Sequence, residues 1–378
     1  MKILGIETSC DETACAVVEN GVKVLSNVIA SQIDIHAATG GVVPEVAARE
    51  HILKIVPVID EALSKAGCDW DDIDAIAVTK GPGLISSLII GTEAASAISY
   101  LKNKPVIPVH HIVGHIYANF LRSEEFSAAS PARGGDGVAE PEFPALILTV
   151  SGGHNEIILM REHDDFTILG ETRDDAAGEA FDKVARILGL GYPGGPVIAK
   201  IATDGDREAF KLPRSYLEEG SLDFSFSGLK TAVLNEVKKE ASRINEGGEL
   251  GNYSQISAGL SEKFKAELAA SFQEAVVDVL TDKLIQAFLT LLEEGTKVRE
   301  IHLAGGVSAN SRLREMLTSK INKLIKGKHI LDVRLRFPQS LKYCTDNAAM
   351  IAGAAYFLRE KAQKAPHNVT PTTNFDLF

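Results

Sequence analysis

Two histidines stand four residues apart in His111-Ile-Val-Gly-His115. On a helix, that spacing puts both imidazoles on one face, within reach of one metal ion. A pair of packed or capping histidines would show the same spacing. A third ligand has to come from elsewhere in the chain. Asp346, in Tyr343-Cys-Thr-Asp346-Asn347 ahead of a predicted helix, is a candidate carboxylate, and a simple helix N-cap is its other reading. Two imidazoles and one carboxylate with open positions suit iron or zinc. A zinc protease of the HExxH type is disfavoured, because Ile112 stands where that motif needs its glutamate base.

Three glycine- and hydroxyl-bearing turns, Thr8–Thr13, Thr149–His154 and Gly305–Asn310, each follow a run that reads as a strand. Glycine has no Cβ in the way, so such turns bring backbone N–H groups close to phosphates. Together the three point to a nucleotide in a cleft between two lobes. None matches the Walker pattern. Asp175, Glu179 and Asp182, at spacings of four and three, share one face of a predicted helix. They read either as a solvated acidic face or as carboxylates for ribose hydroxyls or a cation. In Asp223-Phe-Ser-Phe-Ser227-Gly-Leu-Lys230, a strand-like alternation enters a turn whose lysine could meet a phosphate or a carboxylate.

The elements that must position these groups alternate along the chain. Residues 2–8, 14–18 and 22–29 read as a β-meander, with Asn20-Gly21 as a type I′ turn. Apolar spacing predicts a helix over 44–66, with Pro57 expected to kink it. A strand at 73–79, the turn Gly81-Pro82-Gly83, a helix at 86–101 and a strand at 106–110 follow. Residues 145–150 and 156–160 open a second strand–turn–strand unit that echoes residues 2–18, as two lobes of one architecture would. Helices over 176–188, 257–293 and 346–360 and a strand at 300–303 complete an α/β pattern.

The chain has 378 residues, with 39 Lys+Arg against 51 Asp+Glu and a net charge of -12. The length exceeds one small core, so two lobes are expected, and the composition excludes disorder. A stand-alone nucleic-acid-binding module is excluded by the acidic balance, since such modules carry positive charge for phosphates. Basic residues do gather at Lys320, Lys323, Lys326, Lys328, Arg334 and Arg336, where a solvated face is favoured over an RNA track. Four cysteines without a Cys-x-x-Cys pair, no signal-peptide pattern and no long apolar run predict a cytoplasmic protein with no membrane association.

Eight segments then resemble one family. They are Ile3–Thr13, Gly40–Glu45, Lys80–Leu84, Val109–His115, Val150–His154, Asp174–Lys183, Phe224–Lys230 and Gly305–Asn310. The chain resembles the bacterial tRNA adenosine threonylcarbamoyltransferases, the TsaD family, from residue 1 to about 360. The resemblance implies an actin/Hsp70-like ATPase fold of two RNase H-like lobes around an interlobe cleft. On it, lobe I spans 1–121 and is completed by the helix at 346–360, and lobe II spans 145–345; the composition of 122–144 reads as a flexible insertion, longer than the family usually carries there. It implies transfer of the threonylcarbamoyl group of threonylcarbamoyl-AMP to the exocyclic amine of adenosine 37 in tRNAs reading ANN codons.

By position, His111, His115 and Asp346 correspond to the family's metal ligands for iron or zinc. Thr149, Val150, Ser151, Gly152, Gly153, Asp182, Gly195 and Asn310 correspond to its nucleotide-binding residues, and Asp11 and Glu12 to acidic residues near the reactive end. The resemblance further implies a TsaB-like paralogous subunit, a TsaE-like ATPase and a separate synthase that supplies the intermediate. Direct acyl transfer with AMP release, without an acyl-enzyme, is the expected mechanism. Glu7 stands where actin-like ATPases generally use aspartate, which puts conventional ATP hydrolysis in doubt. An actin-like small-molecule kinase or a nucleotide-gated scaffold subunit is the alternative on this fold, but a kinase has no use for a His/His/Asp site.

Overall fold

Strand β1 (Lys2–Glu7) is buried on both faces, as a strand covered by helices on either side must be. It pairs antiparallel with β2 (Glu12–Glu19), which pairs antiparallel with β3 (Lys23–Ser31). On its other edge it pairs parallel with β4 (Ala75–Gly81), which pairs parallel with β5 (Val106–His110). The computed structural model describes residues 1–122, 140–218, 220–244, 257–328, 333–363 and 369–373.

A second sheet repeats this plan. β6 (Ala145–Val150) lies between β7 (Asn155–Glu162), antiparallel, and β9 (Glu300–Ala304), parallel. β8 (Asp165–Glu171) adds antiparallel to β7, and β10 (Arg334–Arg336) parallel to β9. The orders β3-β2-β1-β4-β5 and β8-β7-β6-β9-β10 are therefore the same sheet built twice. This is the RNase H-like repeat expected from the echo between residues 2–18 and 145–160. Asn20 and Gly21, at φ 51° and 73°, form the left-handed turn between β2 and β3.

The helices are α1 (Ile33–Ala37), α2 (Pro44–Ala66), α3 (Ile85–Lys102), α4 (His111–Tyr117) and α5 (Ala177–Ile187). They continue with α6 (Gly194–Ile201), α7 (Ser227–Ile244), α8 (Glu262–Glu293), α9 (Ser311–Lys328) and α10 (Ala348–Phe357). Pro57 sits inside α2 without ending it. The long helix starts at Glu262, not at residue 257, because Ser261 caps it by accepting from the Phe264 N–H. Its apolar stripe, including Leu268, Phe272, Val276 and Leu284, is core.

One packing feature sets up the site. α10 is built of small residues, Ala348, Ala349, Ala352, Gly353 and Ala354 among them, and is buried against β1 and α4. Small side chains let the backbones approach closely, so the start of α10 is brought beside the histidines of α4. Asp223–Ser227 forms no strand, making a single bridge between Thr172 and Phe224 before Ser227 opens α7. Most of the insertion expected at 122–144, residues 123–139, lies outside the described residues. Among the described residues no helix is long and apolar enough to cross a membrane.

Candidate active site

β5 runs directly into α4, and His110 caps that helix by accepting from the Ile112 N–H at 3.1 Å. His111 and His115 then project from one face, their ring centroids 4.7 Å apart and nearly perpendicular. Asp346 meets them from the start of α10, with Oδ1 3.5 Å from His111 Nε2 and 3.1 Å from His115 Nε2. The capping role is taken by its neighbour: Asn347 accepts from the Met350 N–H at 3.0 Å. Asp346 is thereby left to the histidines.

Behind His111 stands Glu7, fully buried at the end of β1. Its Oε2 lies 3.0 Å from His111 Nδ1 and accepts from Thr79 Oγ1 at 2.7 Å, and its Oε1 accepts from the Ser9 N–H at 2.5 Å. A carboxylate on Nδ1 fixes the tautomer that presents Nε2 as a ligand atom and raises its basicity. Sequence reasoning noted Glu7 only as a departure from aspartate and missed this support.

The three donor groups lie within 4.8 Å of one another. His115 is buried and neither ring nitrogen has a hydrogen-bond partner, its 3.1 Å approach to Asp346 lacking the alignment of one. A buried imidazole nitrogen with no partner is costly unless something else binds it. This donor set therefore fits a divalent metal ion. Burial alone would raise the Asp346 carboxyl, but the facing His111 and then His115 hold it well below the usual carboxylate range. Burial likewise opposes the charged form of His111, and Asp346 and Glu7 outweigh it, keeping that imidazole well above its ordinary value.

Asp11 and Glu12 reach the same place from the loop after β1. Burial, then the charges of Asp346 and Asp11, push the Glu12 carboxyl well up. From the second sheet, the turn after β6 brings His154 to the histidine pair. Burial pushes its imidazole down to about 4, with His111 and His115 adding to the effect. That turn is closed by the Ser151 N–H on the His154 carbonyl at 2.8 Å and the His154 N–H on Ser151 Oγ at 3.1 Å. Thr149 and Val150 end β6 beneath it, and Thr149 Oγ1 is buried without a partner.

The remaining nucleotide candidates divide. No atom lies within 4 Å of where a Cβ would stand on Gly152, Gly153, Gly195 or Gly306, so each borders open space. Gly305 has φ 85°, and a side chain there would overlap the Val150 carbonyl, so only glycine fits this turn. Asp182 Oδ1 accepts from the Gly194 N–H at 2.7 Å, tying α5 to the start of α6. Asn310 caps α9 by accepting from the Leu313 N–H at 3.1 Å, and its amide donates to Gln273 at 2.8 Å. Between the lobes, a cleft of about 440 Å³ is lined by Ala37 and Gly40 on one side and by Asp182, Arg186 and Tyr192 on the other. The Arg186 guanidinium donates to the Gly40 carbonyl across it.

One expectation needs correction. Asp175, Glu179 and Asp182 do not share one helix face, because α5 begins only at Ala177 and Asp175 precedes it. Lys183 neutralises the group, with Nζ 2.6 Å from Asp175 and 2.8 Å from Glu179, and Lys230 meets Asp175 at 3.1 Å. Much of the basic cluster is paired as well. Lys320 binds Asp282 at 2.5 Å, while Arg334 and Arg336 converge on the buried Glu300, as a structural network would.

A model of the family described as tRNA N6-adenosine threonylcarbamoyltransferase, TsaD, matches residues 23–353. The chain is 50% identical over 369 residues to a protein of that name from Thermomicrobium roseum, covering 97% of this chain and 94% of that one. It is 48% identical over 377 residues to another from Clostridium botulinum, covering 100% and 98%. Among solved structures it is similar to full-length HypF, with a TM-score of 0.51 and 14% identity over 95% of this chain and 46% of that one. That likeness concerns the fold alone, the two-lobed actin/Hsp70-like arrangement.

Proposed function

Because the chain belongs to the tRNA N6-adenosine threonylcarbamoyltransferase family, we propose that His111, His115 and Asp346 hold one divalent ion, iron or zinc, at the reacting end of its cleft. The protein is an acyltransferase that forms threonylcarbamoyladenosine in tRNA. The donor is taken to be threonylcarbamoyl-AMP and the acceptor the exocyclic amine of adenosine 37 in tRNAs reading ANN codons. The observation that carries this reading is the convergence of two imidazoles and a carboxylate, backed by Glu7, on one buried point between the lobes. A small-molecule kinase is not favoured, since phosphoryl transfer gives no reason to build it.

A bound metal would supply Lewis-acid stabilisation of charge developing on an acyl or phosphate oxygen. The chain's own residues do the rest. The Gly152 and Gly153 backbone amides of the Thr149–Gly153 turn hold the phosphate, and Asp182 and the α6 start at Gly194–Gly195 meet the ribose, with Asn310 completing the nucleotide site. Asp11 and Glu12 lie where the acyl group meets the amine. The new N–C bond forms as the C–O bond to phosphate breaks, a carboxylate of the pair takes the amine proton, and AMP leaves. No enzyme nucleophile is used: burial and then Asp11 and Asp346 push the Cys10 thiol well up, which makes it a poor one.

Lobe I spans 1–121 with the C-terminal segment 346–360, whose helix is α10 (Ala348–Phe357), and lobe II spans 145–345. A TsaB-like paralogous subunit, a TsaE-like ATPase and a separate synthase work with the chain in the cytoplasm. An outer face of lobe I with exposed Ile52, Leu53 and Val56 on α2 and Ile85 and Ile89 on α3 suits the subunit. The test is purified protein with partner subunits, threonylcarbamoyl-AMP and unmodified tRNA, read by nucleoside mass spectrometry. Threonylcarbamoyladenosine with stoichiometric AMP is expected. No modified nucleoside, or a trapped acyl-enzyme, would contradict the reading.

A further inference from the structure

The loop Ser9–Asp11 and the first residue of β2, Glu12, carry the two carboxylates at the reacting end; β3 pairs with Glu12, and the loop backbone is held from three directions. The Ser9 carbonyl accepts from the Leu84 N–H at 2.8 Å, and the Asp11 carbonyl from the Gln32 N–H at 3.0 Å. Gly83 makes the first contact possible, since a Cβ there would stand 2.6 Å from the Ser9 carbonyl. The third brace is a side chain. His51, on α2 and wholly buried, places Nε2 3.0 Å from the Cys10 carbonyl and Nδ1 2.8 Å from Thr13 Oγ1.

These partners decide the proton positions. A carbonyl only accepts, so Nε2 carries the hydrogen and donates to Cys10. Nδ1 is then the acceptor, and the Thr13 hydroxyl donates to it. The imidazole is neutral in this arrangement. Burial, the main influence on it, lowers its affinity for a second proton. His51 thus holds the loop at the Cys10 carbonyl and β2 at the Thr13 side chain, on either side of Asp11 and Glu12. It lies on a different element from every metal ligand.

We propose that His51 is a positioning residue for acyl transfer, pinning Cys10 and Thr13 so that Asp11 and Glu12 face the reacting carbonyl and amine. This rests on the transferase reading above. Because Ser9 and Asp11 keep their own braces, removing His51 loosens the loop without unfolding β1 or β2. Loss of a support one contact away from reacting groups typically lowers activity about 10- to 100-fold. Glutamine retains an N–H donor at the ε position for the Cys10 carbonyl, whereas asparagine retains only the δ-side partner, Thr13.

The experiment compares wild type, His51→Ala, His51→Gln and His51→Asn by steady-state transfer kinetics, metal content, Tm and amide hydrogen exchange over residues 9–13. In His51→Ala, kcat falls about 10- to 100-fold, KM for tRNA and threonylcarbamoyl-AMP stays within about twofold, and metal content is unchanged. Exchange rises in the loop alone, and His51→Gln recovers more kcat than His51→Asn. The proposal is overturned if loop exchange and kcat match wild type, if the loss of kcat tracks lost metal or Tm, or if asparagine rescues as well as glutamine. Exchange needs no turnover, so it tests the pin even where wild type makes no modified nucleoside, a result that would count against the transferase reading instead.

Discussion

Glu7→Gln is the substitution whose consequence the structure specifies most fully. Three donors converge on two carboxylate oxygens: the Ser9 N–H on Oε1, and Thr79 Oγ1 and the His111 ring on Oε2. Glutamine offers one oxygen and one NH2. If its oxygen serves Thr79 and His111, the NH2 faces the Ser9 N–H; reversed, it faces the His111 ring proton. Either choice sets donor against donor at a fully buried site, which costs about 1–3 kcal/mol. The charge that would make His111 a better ligand for the proposed ion is lost as well, and such supports are worth about 10–100-fold in metal affinity. The assay is a competitive chelator titration of the metal-free protein with Zn²⁺, with Tm measured alongside. An affinity within about twofold of wild type would refute the claim that Glu7 orients and polarises His111.

Three other perturbations each isolate one role. Asp346→Ala abolishes metal binding while leaving the helix cap in place. Asn347→Ala, by contrast, keeps one metal per chain and lowers stability by about 1 kcal/mol, the usual worth of an N-cap; metal analysis and chemical denaturation of both check this. Glu156 is buried with Oε2 unpartnered, and burial, then Glu171 opposite it, push its carboxyl up to about 7. A carboxyl raised on folding contributes fully below its unfolded value near 4.5 and loses that contribution as pH rises through about 7. Wild type therefore loses about 3 kcal/mol of unfolding free energy between pH 4.5 and 8 from this group, and Glu156→Gln removes that slope in denaturant titrations at several pH values.

Much of the fold was legible because its signals are local. The meander, the turn at Asn20-Gly21 and the repeat between residues 2–18 and 145–160 follow from alternation and turn chemistry within short windows, and both sheets bear them out. The histidine pair was legible for the same reason, since its spacing lies inside one helix. What escaped depends on contacts distant in sequence. Glu7 and His111 are 104 residues apart, and His51 and Cys10 are 41 apart, with no pattern in either segment to pair them. Asp175 was misjudged because the start of a helix is poorly marked: Ala176 sits at the N-cap position of α5 with no side-chain cap. Paired charges were also hidden, since only the folded chain brings Glu300 to Arg336 or Lys183 to Asp175.

We propose that transfer depends on an ion held by His111, His115 and Asp346. This dependence is tested most directly by titrating metal-free protein, with its partner subunits, with iron or zinc and measuring threonylcarbamoyladenosine formed against metal bound per chain. The rate should rise in proportion to metal until one ion is bound per chain, with Asp346→Asn binding none and transferring nothing. Full activity of the metal-free protein, or of Asp346→Asn, would rule out that dependence.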